Sequence, residues 1–257
     1  MVKVSEHFYT IQGEGPTVGT PSYLIRLVGC NLICPMCDSK FSWRGYDGEN
    51  LEEVVENLDI PNQCDNIIIT GGEPSLFFDE VDFRKLLVKI TGKKLEIETN
   101  ALPDISMLKD RTIYDTLKEF NDKISRYKID NHFIKYRISP KLTLDSYGVD
   151  HIDIDDIYRY YEITKPLIDW SFIYKLVHNK YNEPFIEQFI DERIPSPLFK
   201  RDFVYIMPYT PTEMIDLNSF WTEYNQNCLD TVEFCKKKGL RYCPRVHINV
   251  YGIKRGV

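Results

Sequence analysis

The chain has 257 residues, 43% of them hydrophobic and 13% aromatic. That is enough apolar side chain for a packed core, which excludes a disordered polymer and fits one large α/β domain or at most two small ones. Thirty-nine Asp and Glu against 32 Lys and Arg leave a net charge of −7, the wrong sign for a generic binder of nucleic acid or of an anionic membrane.

No apolar run approaches the ~20 residues that span a bilayer. The opening Met1-Val-Lys-Val-Ser-Glu-His7 lacks the apolar stretch of a secretory signal, so a cytoplasmic location is expected, with no nucleic-acid or membrane partner. Taken in chain order, strands are expected at 23–28, 66–70, 95–99, 133–139, 171–177, 203–207 and 245–250. Several are nearly continuously apolar, such as Ile67-Ile68-Ile69, as in parallel strands covered on both faces. Helical spacing runs between them. Leu51, Val54, Val55 and Leu58 follow i, i+3, i+4, i+7, and Phe83, Leu86, Leu87 and Ile90 repeat it. Thr210-Pro-Thr-Glu213 reads as a capping box with Pro211 at the first helical position, opening a helix over 211–224. This alternation gives an α/β fold, an open or partial (βα) barrel with its chemistry at the carboxyl ends of the strands. Residues 103–132 and 142–168 fit least and read as insertions into a single domain over 1–257. The stretch 145–162 is acidic, while 234–257 carries seven basic residues and no acidic one.

Seven cysteines without a secretory signal make a poor disulfide framework. Three of them, Cys30, Cys34 and Cys37, follow the strand at 23–28 in C-x3-C-x2-C spacing. A structural zinc needs four closed ligands, so one would have to come from afar. A [4Fe–4S] cube held by three thiolates instead keeps one iron open for chemistry. Cys64, Cys228, Cys235 and Cys243 are scattered and are expected to pack as small apolar groups.

The cysteine loop, followed by Thr70-Gly71-Gly72-Glu73-Pro74 at the end of the next strand, resembles the radical S-adenosylmethionine (SAM) superfamily. Two glycines permit a close backbone approach, and a carboxylate suits an ammonium partner. The run Phe8-Tyr-Thr-Ile-Gln-Gly-Glu-Gly-Pro16, Tyr23-Leu-Ile-Arg-Leu-Val-Gly-Cys30, Ile97-Glu-Thr-Asn100, Ser139-Pro-Lys141 and the closing His247 and Gly252-Ile-Lys-Arg-Gly-Val257 are together similar to the 7-carboxy-7-deazaguanine synthases (QueE). A glycyl-radical activating enzyme shares the cysteine spacing, and a zinc-bound interaction module shares the thiols. Gln12-Gly-Glu-Gly and the Lys254-Arg-Gly-Val ending favour the synthases.

The resemblance implies a modified, partial (βα)6-type radical SAM barrel and a homodimer. It implies conversion of 6-carboxy-5,6,7,8-tetrahydropterin to 7-carboxy-7-deazaguanine with loss of ammonia, a step toward 7-deazapurines such as queuosine. The implied cofactors are a [4Fe–4S] cluster on Cys30, Cys34 and Cys37, SAM used catalytically through a 5′-deoxyadenosyl radical, and Mg²⁺. An electron donor such as flavodoxin or ferredoxin is implied as well. SAM contacts fall on Met36, Cys37, Asp38, Gly72, Glu73, Ser139, Pro140 and Lys141. Substrate contacts fall on Ile11, Gln12, Gly13, Glu14, Arg26, Thr70 and His247, with the Arg26 guanidinium suited to the pterin carboxylate. Mg²⁺ falls on Ser39, where the family has Thr; the hydroxyl keeps the hard oxygen and loses the stiffening methyl. Asn100-Ala101 departs from the family's Asn-Gly. Glu98, at a strand's carboxyl end, is expected in the site on position alone.

Overall fold

The computed structural model describes residues 1–34, 36–43, 47–77, 80–100, 134–138, 173–193, 201–212 and 216–256, with 134–138 and 192–193 as backbone only. The strands are β1 (Lys3–Ile11), β2 (Pro21–Val28), β3 (Glu49–Asn50), β4 (Asn66–Gly71), β5 (Lys94–Thr99), β6 (Ile134–Ile138), β7 (Ile173–His178), β8 (Val204–Pro208) and β9 (Arg241–Tyr242). The helices among the described residues are α1 (Leu51–Asn57), α2 (Val81–Lys89), α3 (Glu183–Gln188), α4 (Leu217–Lys238) and α5 (Val246–Tyr251). Among the described residues one sheet takes all nine strands, in the order β3-β1-β2-β4-β5-β6-β7-β8-β9. Pairing from β2 through β9 is parallel, while β1 runs antiparallel to β2 and to β3. The expected insertions at 103–132 and 142–168 lie outside the described residues. None of the described helices is long and apolar enough to cross a membrane.

The two faces of this sheet differ in chemistry because strand side chains alternate. Ile25 and Leu27 of β2, Ile67 and Ile69 of β4, Leu95 and Ile97 of β5, and Tyr174 and Leu176 of β7 join one core cluster. Leu51 and Val54 of α1 and Leu86 and Leu87 of α2 belong to the same cluster. The intervening residues Arg26, Thr70, Glu98 and Lys175 line a cavity on the other face. Arg26 and Thr70 are direct register partners, so parallel pairing sets polar groups from neighbouring strands side by side. The apolar face supplies the stability, and the polar positions fall toward the carboxyl ends.

The sheet is curled. Strands lie ~4.8 Å apart, so the seven steps from β1 to β9 would cover ~34 Å in a flat sheet. Yet the Gly15 N–H, in the turn after β1, donates to Cys243 Sγ just past β9 at 2.9 Å. The Val246 N–H donates to the Gly13 carbonyl at 2.9 Å. These contacts bring the first and last loops together over the polar face.

Three expectations need correction. The stretch expected as a strand at 245–250 is helix α5, and the last strand is Arg241–Tyr242; six residues of alternating polarity, Arg245-Val-His-Ile-Asn-Val250, are too few to distinguish the two periods. Thr210 opens no helix: α4 begins at Leu217, capped by the Asp216 carboxylate accepting from the Asn218 and Ser219 N–H groups, and it runs on to Lys238. Asp216 is the stronger cap, and the Thr210 hydroxyl is engaged by Arg245. β1 was not expected as a strand, since its exposed and half-buried polar residues mask the alternation.

Candidate active site

Gly29 and Cys30 leave the end of β2 and open the cysteine loop. The loop is pinned at its base, where the Gly29 N–H donates to the Ser42 carbonyl at 2.8 Å and the Cys30 N–H to the Trp43 carbonyl at 3.2 Å. Inside it, the Cys37 N–H donates to the Cys34 carbonyl at 3.0 Å. Two backbone donors meet sulfur, Leu32 N–H on Cys30 Sγ and Ser39 N–H on Cys37 Sγ, each at 3.4 Å. The same donors would meet the sulfurs of a bound cluster. Cys30, Cys34 and Cys37 all line one cavity with Met36, Asp38, Ser39, Thr70 and Gly72. Among the described residues no three His, Cys, Asp or Glu side chains gather on one ion-sized point. The three thiols border one shared space, a donor set that fits a cluster held by three thiolates with one iron open.

The Gly71-Gly72-Glu73 edge abuts this loop. Gly72 donates to the Leu27 carbonyl at 3.1 Å and Glu73 N–H to the Gly29 carbonyl at 2.7 Å. A Cβ on Gly72 would stand 1.9 Å from the Gly29 carbonyl oxygen, so glycine is needed for the two backbones to meet. The Glu73 side chain, expected at SAM, is fully buried and is not among the residues that line the cavity. One carboxylate oxygen accepts from Thr99 Oγ1 at 2.7 Å and the Ser75 N–H at 3.0 Å, and the other accepts from the Asn100 N–H at 2.7 Å. It clips the end of β4 to the end of β5. Burial pushes its carboxyl up, against the pull of these donors.

Beyond the cysteines the cavity wall is a network of opposite charges. Lys175 of β7, with 1% of its side chain exposed, donates to Glu14 at 2.8 Å and to Glu98 of β5. Arg245 donates to the other Glu14 oxygen at 2.8 Å, to Asp38 beside the last cysteine, and to Thr210 Oγ1. Burial alone would raise the Glu14 carboxyl, but the charges of Lys175 and Arg245 prevail and hold it well below the usual carboxylate range. Asp38 follows the same pattern, its burial outweighed by Arg245. The same pairs hold Lys175 and Arg245 firmly protonated despite burial. Arg26 pairs with Glu6 at 2.6 Å and donates to Ser39 Oγ at 3.3 Å. Ser39 Oγ in turn donates to Asp38 Oδ1 at 3.0 Å.

A second cavity adjoins the first. Ile11, Gln12, Gly13, Glu14 and His247 line it together with the closing segment from Tyr251 to Gly256. Glu14, Cys37, Asp38, Ser39, Glu98, Thr210 and Arg245 line both cavities. His247 sits against Gly13, where a Cβ would lie 2.0 Å from its Nδ1. Burial and the nearby Arg245 charge push this imidazole down to about 4, only partly offset by Glu14 and Asp38. The Gln12 amide is already engaged, donating to Glu96 Oε2 at 3.0 Å and accepting from the Glu14 N–H at 3.1 Å. Arg255 lies over the Phe41 ring, 3.4 Å from its centre, and pairs with Glu6 at 3.6 Å, closing the tail over this chamber.

Of the residues expected for SAM, Met36, Cys37, Asp38 and Gly72 come together in the first cavity; Ser139, Pro140 and Lys141 lie outside the described residues. Of those expected for substrate, Ile11, Gln12, Gly13, Glu14 and His247 share the second cavity, while Arg26 and Thr70 line the first. Glu98 reaches both. Cys64, Cys235 and Cys243 are buried, and Cys228 packs half-buried against an aromatic cluster. The sequence reading missed Lys175 and Arg245, which no local motif marks. The available signal for Lys175 was a lone charge inside the apolar run Ile173-Tyr-Lys-Leu-Val177.

Known proteins resemble this chain in sequence and in fold. Residues 24–139 match the model of the Radical SAM superfamily. A 7-carboxy-7-deazaguanine synthase of Thermoplasma acidophilum is 32% identical over 163 residues, 58% of this chain and 76% of that protein. The synthase of Rickettsia prowazekii is 32% identical over 166 residues, 58% of this chain and 70% of that protein. That of Hyperthermus butylicus is 38% identical over 104 residues, but there the chain spans only 44% of the relative's length. In fold the chain resembles QueE from Escherichia coli, with a TM-score of 0.58 and 18% identity over 95% of this chain and 94% of that one. Given relatives matched across more than two thirds of their length and the cysteine loop at the mouth of a curled parallel sheet, the chain belongs to the 7-carboxy-7-deazaguanine synthase family.

Proposed function

We propose that this protein is a radical SAM lyase that converts 6-carboxy-5,6,7,8-tetrahydropterin to 7-carboxy-7-deazaguanine with loss of ammonia. The observation that carries the reading is the shared wall of the two cavities, one bordered by Cys30, Cys34 and Cys37 and the other by Gln12, Gly13 and His247. A cofactor in the first and a pterin in the second would touch across Glu14, Asp38 and Glu98. When bound, the cluster and SAM supply one-electron cleavage and an abstractor for the hydrogen on pterin C6.

The protein's own part is placement and dryness. Cys30, Cys34 and Cys37 would hold the cluster, while Met36, Asp38 and Gly72, with Ser139, Pro140 and Lys141, would bind SAM. Leu32, Trp43, Val177 and Met207 line the first cavity and would keep water from the cofactor. Glu14 and Glu98 would accept the pterin N–H groups. Arg26, with one nitrogen on Glu6, would turn its remaining face to the pterin carboxylate. Mg²⁺ at Ser39 would take the hydroxyl and the adjacent Asp38 oxygen as protein ligands, displacing the Arg26 contact, with water and substrate completing its shell. The parallel neighbours β2, β4, β5, β6, β7 and β8 support a partial (βα)6 barrel, read here as one domain over 1–257. A cytoplasmic homodimer reduced by flavodoxin or ferredoxin completes the reading.

The test is anaerobic turnover with reductant, SAM, Mg²⁺ and 6-carboxytetrahydropterin, followed by mass spectrometry. We expect 7-carboxy-7-deazaguanine from the wild type and none from Cys34→Ala. Free 5′-deoxyadenosine without that product would discard the substrate, and neither species from cluster-loaded protein would discard the enzyme.

A further inference from the structure

Lys175 lies inside the apolar β7 run, yet its side chain is turned to the polar face and almost wholly enclosed. Its Nζ donates to Glu14 Oε2 at 2.8 Å and also to Glu98 Oε2. Glu14 comes from the turn after β1 and Glu98 from the end of β5, so one ammonium ties three elements together. Both glutamates line both cavities, whereas Lys175 lines only the first. The lysine therefore stands behind the pair, seen from the second cavity.

We propose that Lys175 is a positioning residue that holds the Glu14 and Glu98 carboxylates side by side as hydrogen-bond acceptors for the N–H-rich edge of the pterin. The inference rests on the function proposed above and deepens it.

Two carboxylates within reach of one nitrogen repel each other, and without a cation between them one tends to take up a proton. A protonated carboxyl presents a donor where the 2-amino-4-oxopyrimidine edge also presents donors, so recognition fails on that side. The other groups facing Glu14 do not replace the lysine. Arg245, before α5, holds the opposite oxygen at 2.8 Å and is shared with Asp38 of the cysteine loop. His247 Nε2 of α5 stands 3.9 Å away and is held neutral. Cys243, after β9, is a buried thiol pushed up to about 11. Within this cluster three carboxylates, Asp38, Glu14 and Glu98, face two cations, Lys175 and Arg245, which leaves an excess of acceptors for a donor-rich ligand.

The test compares wild type, Lys175→Gln and Lys175→Arg across pH with 6-carboxytetrahydropterin as the varied substrate. Glutamine keeps an amide and removes the charge; arginine keeps the charge. In Lys175→Gln we expect kcat/KM to fall about tenfold or more, chiefly through KM, and its acid limb to move about one pH unit or more toward neutrality. Lys175→Arg restores the wild-type limb. SAM is held saturating for all three proteins, because Lys175 borders the first cavity. An unchanged KM and acid limb in folded Lys175→Gln overturns the inference while leaving the functional reading intact. If that variant fails to fold, the wild type and Lys175→Arg decide: both profiles flat down to about pH 6 support the inference, and a wild-type limb above that value overturns it. Absence of the product from the wild type overturns both.

Discussion

Glu73 and Ser39 show how two polar side chains near one cavity serve different ends. The Glu73 carboxylate accepts from Thr99, Ser75 and Asn100 in full burial, so Glu73→Gln turns an NH2 toward a backbone N–H. We expect a loss of about 1–3 kcal/mol in urea unfolding, with SAM affinity following only as far as the β4–β5 edge shifts. An unchanged midpoint would show that these hydrogen bonds carry no stability. Ser39 instead has its hydroxyl between a guanidinium and a carboxylate at the cavity. Ser39→Thr is expected to retain turnover and Ser39→Ala to lose its Mg²⁺ dependence. An equal Mg²⁺ response in wild type and the alanine variant contradicts the metal assignment.

At the scale of elements, α1 and α2 close the apolar face of the sheet, and Leu86 is fully buried in that cluster. Leu86→Ala is expected to cost about 2–5 kcal/mol in denaturant unfolding while leaving KM unchanged in the folded fraction; a changed KM contradicts the separation of the two faces. This division was legible in sequence. Continuous apolar runs such as Ile67-Ile68-Ile69 mark covered parallel strands, and the i, i+3, i+4, i+7 spacing marks α1 and α2. β2, β4, β5 and β8 fall within two residues of their expected bounds at each end. Short or polar elements were not legible, because six residues such as Val246–Tyr251 satisfy either period and β1 buries little of its outer face. The cysteine loop was readable as a motif, being local in the chain. The Lys175–Glu14 and Arg245–Asp38 pairs were not, because they join residues 161 and 207 positions apart and only the curl of the sheet brings them together.

For the whole molecule, the buried charge network ties stability to pH. Glu14 and Asp38 are held below their unfolded values, so their stabilisation is present above about pH 4 and is lost as pH falls through the folded values. His247 is depressed from 6.5 to about 4, so the fold favours its neutral form, and stability erodes as pH falls across that window. Glu73, pushed up by burial, runs the other way, its contribution being lost as pH rises. Buried His178, lowered by its burial as well, joins the three lowered groups, and together they outnumber Glu73, so the thermal midpoint is expected to fall below about pH 6.5 and more steeply below about pH 4. His247→Gln should flatten the first part of that fall; a midpoint that rises on acidification contradicts the sign.

In the proposed function a cofactor chamber and a pterin chamber meet across one charged wall. Turnover of 6-carboxytetrahydropterin carrying deuterium at C6, with mass spectrometry of both 7-carboxy-7-deazaguanine and recovered SAM, tests this most directly. We predict product together with deuterium at the 5′ carbon of SAM or 5′-deoxyadenosine. Unlabelled SAM and 5′-deoxyadenosine alongside unchanged substrate, from protein with a full cluster, would contradict it.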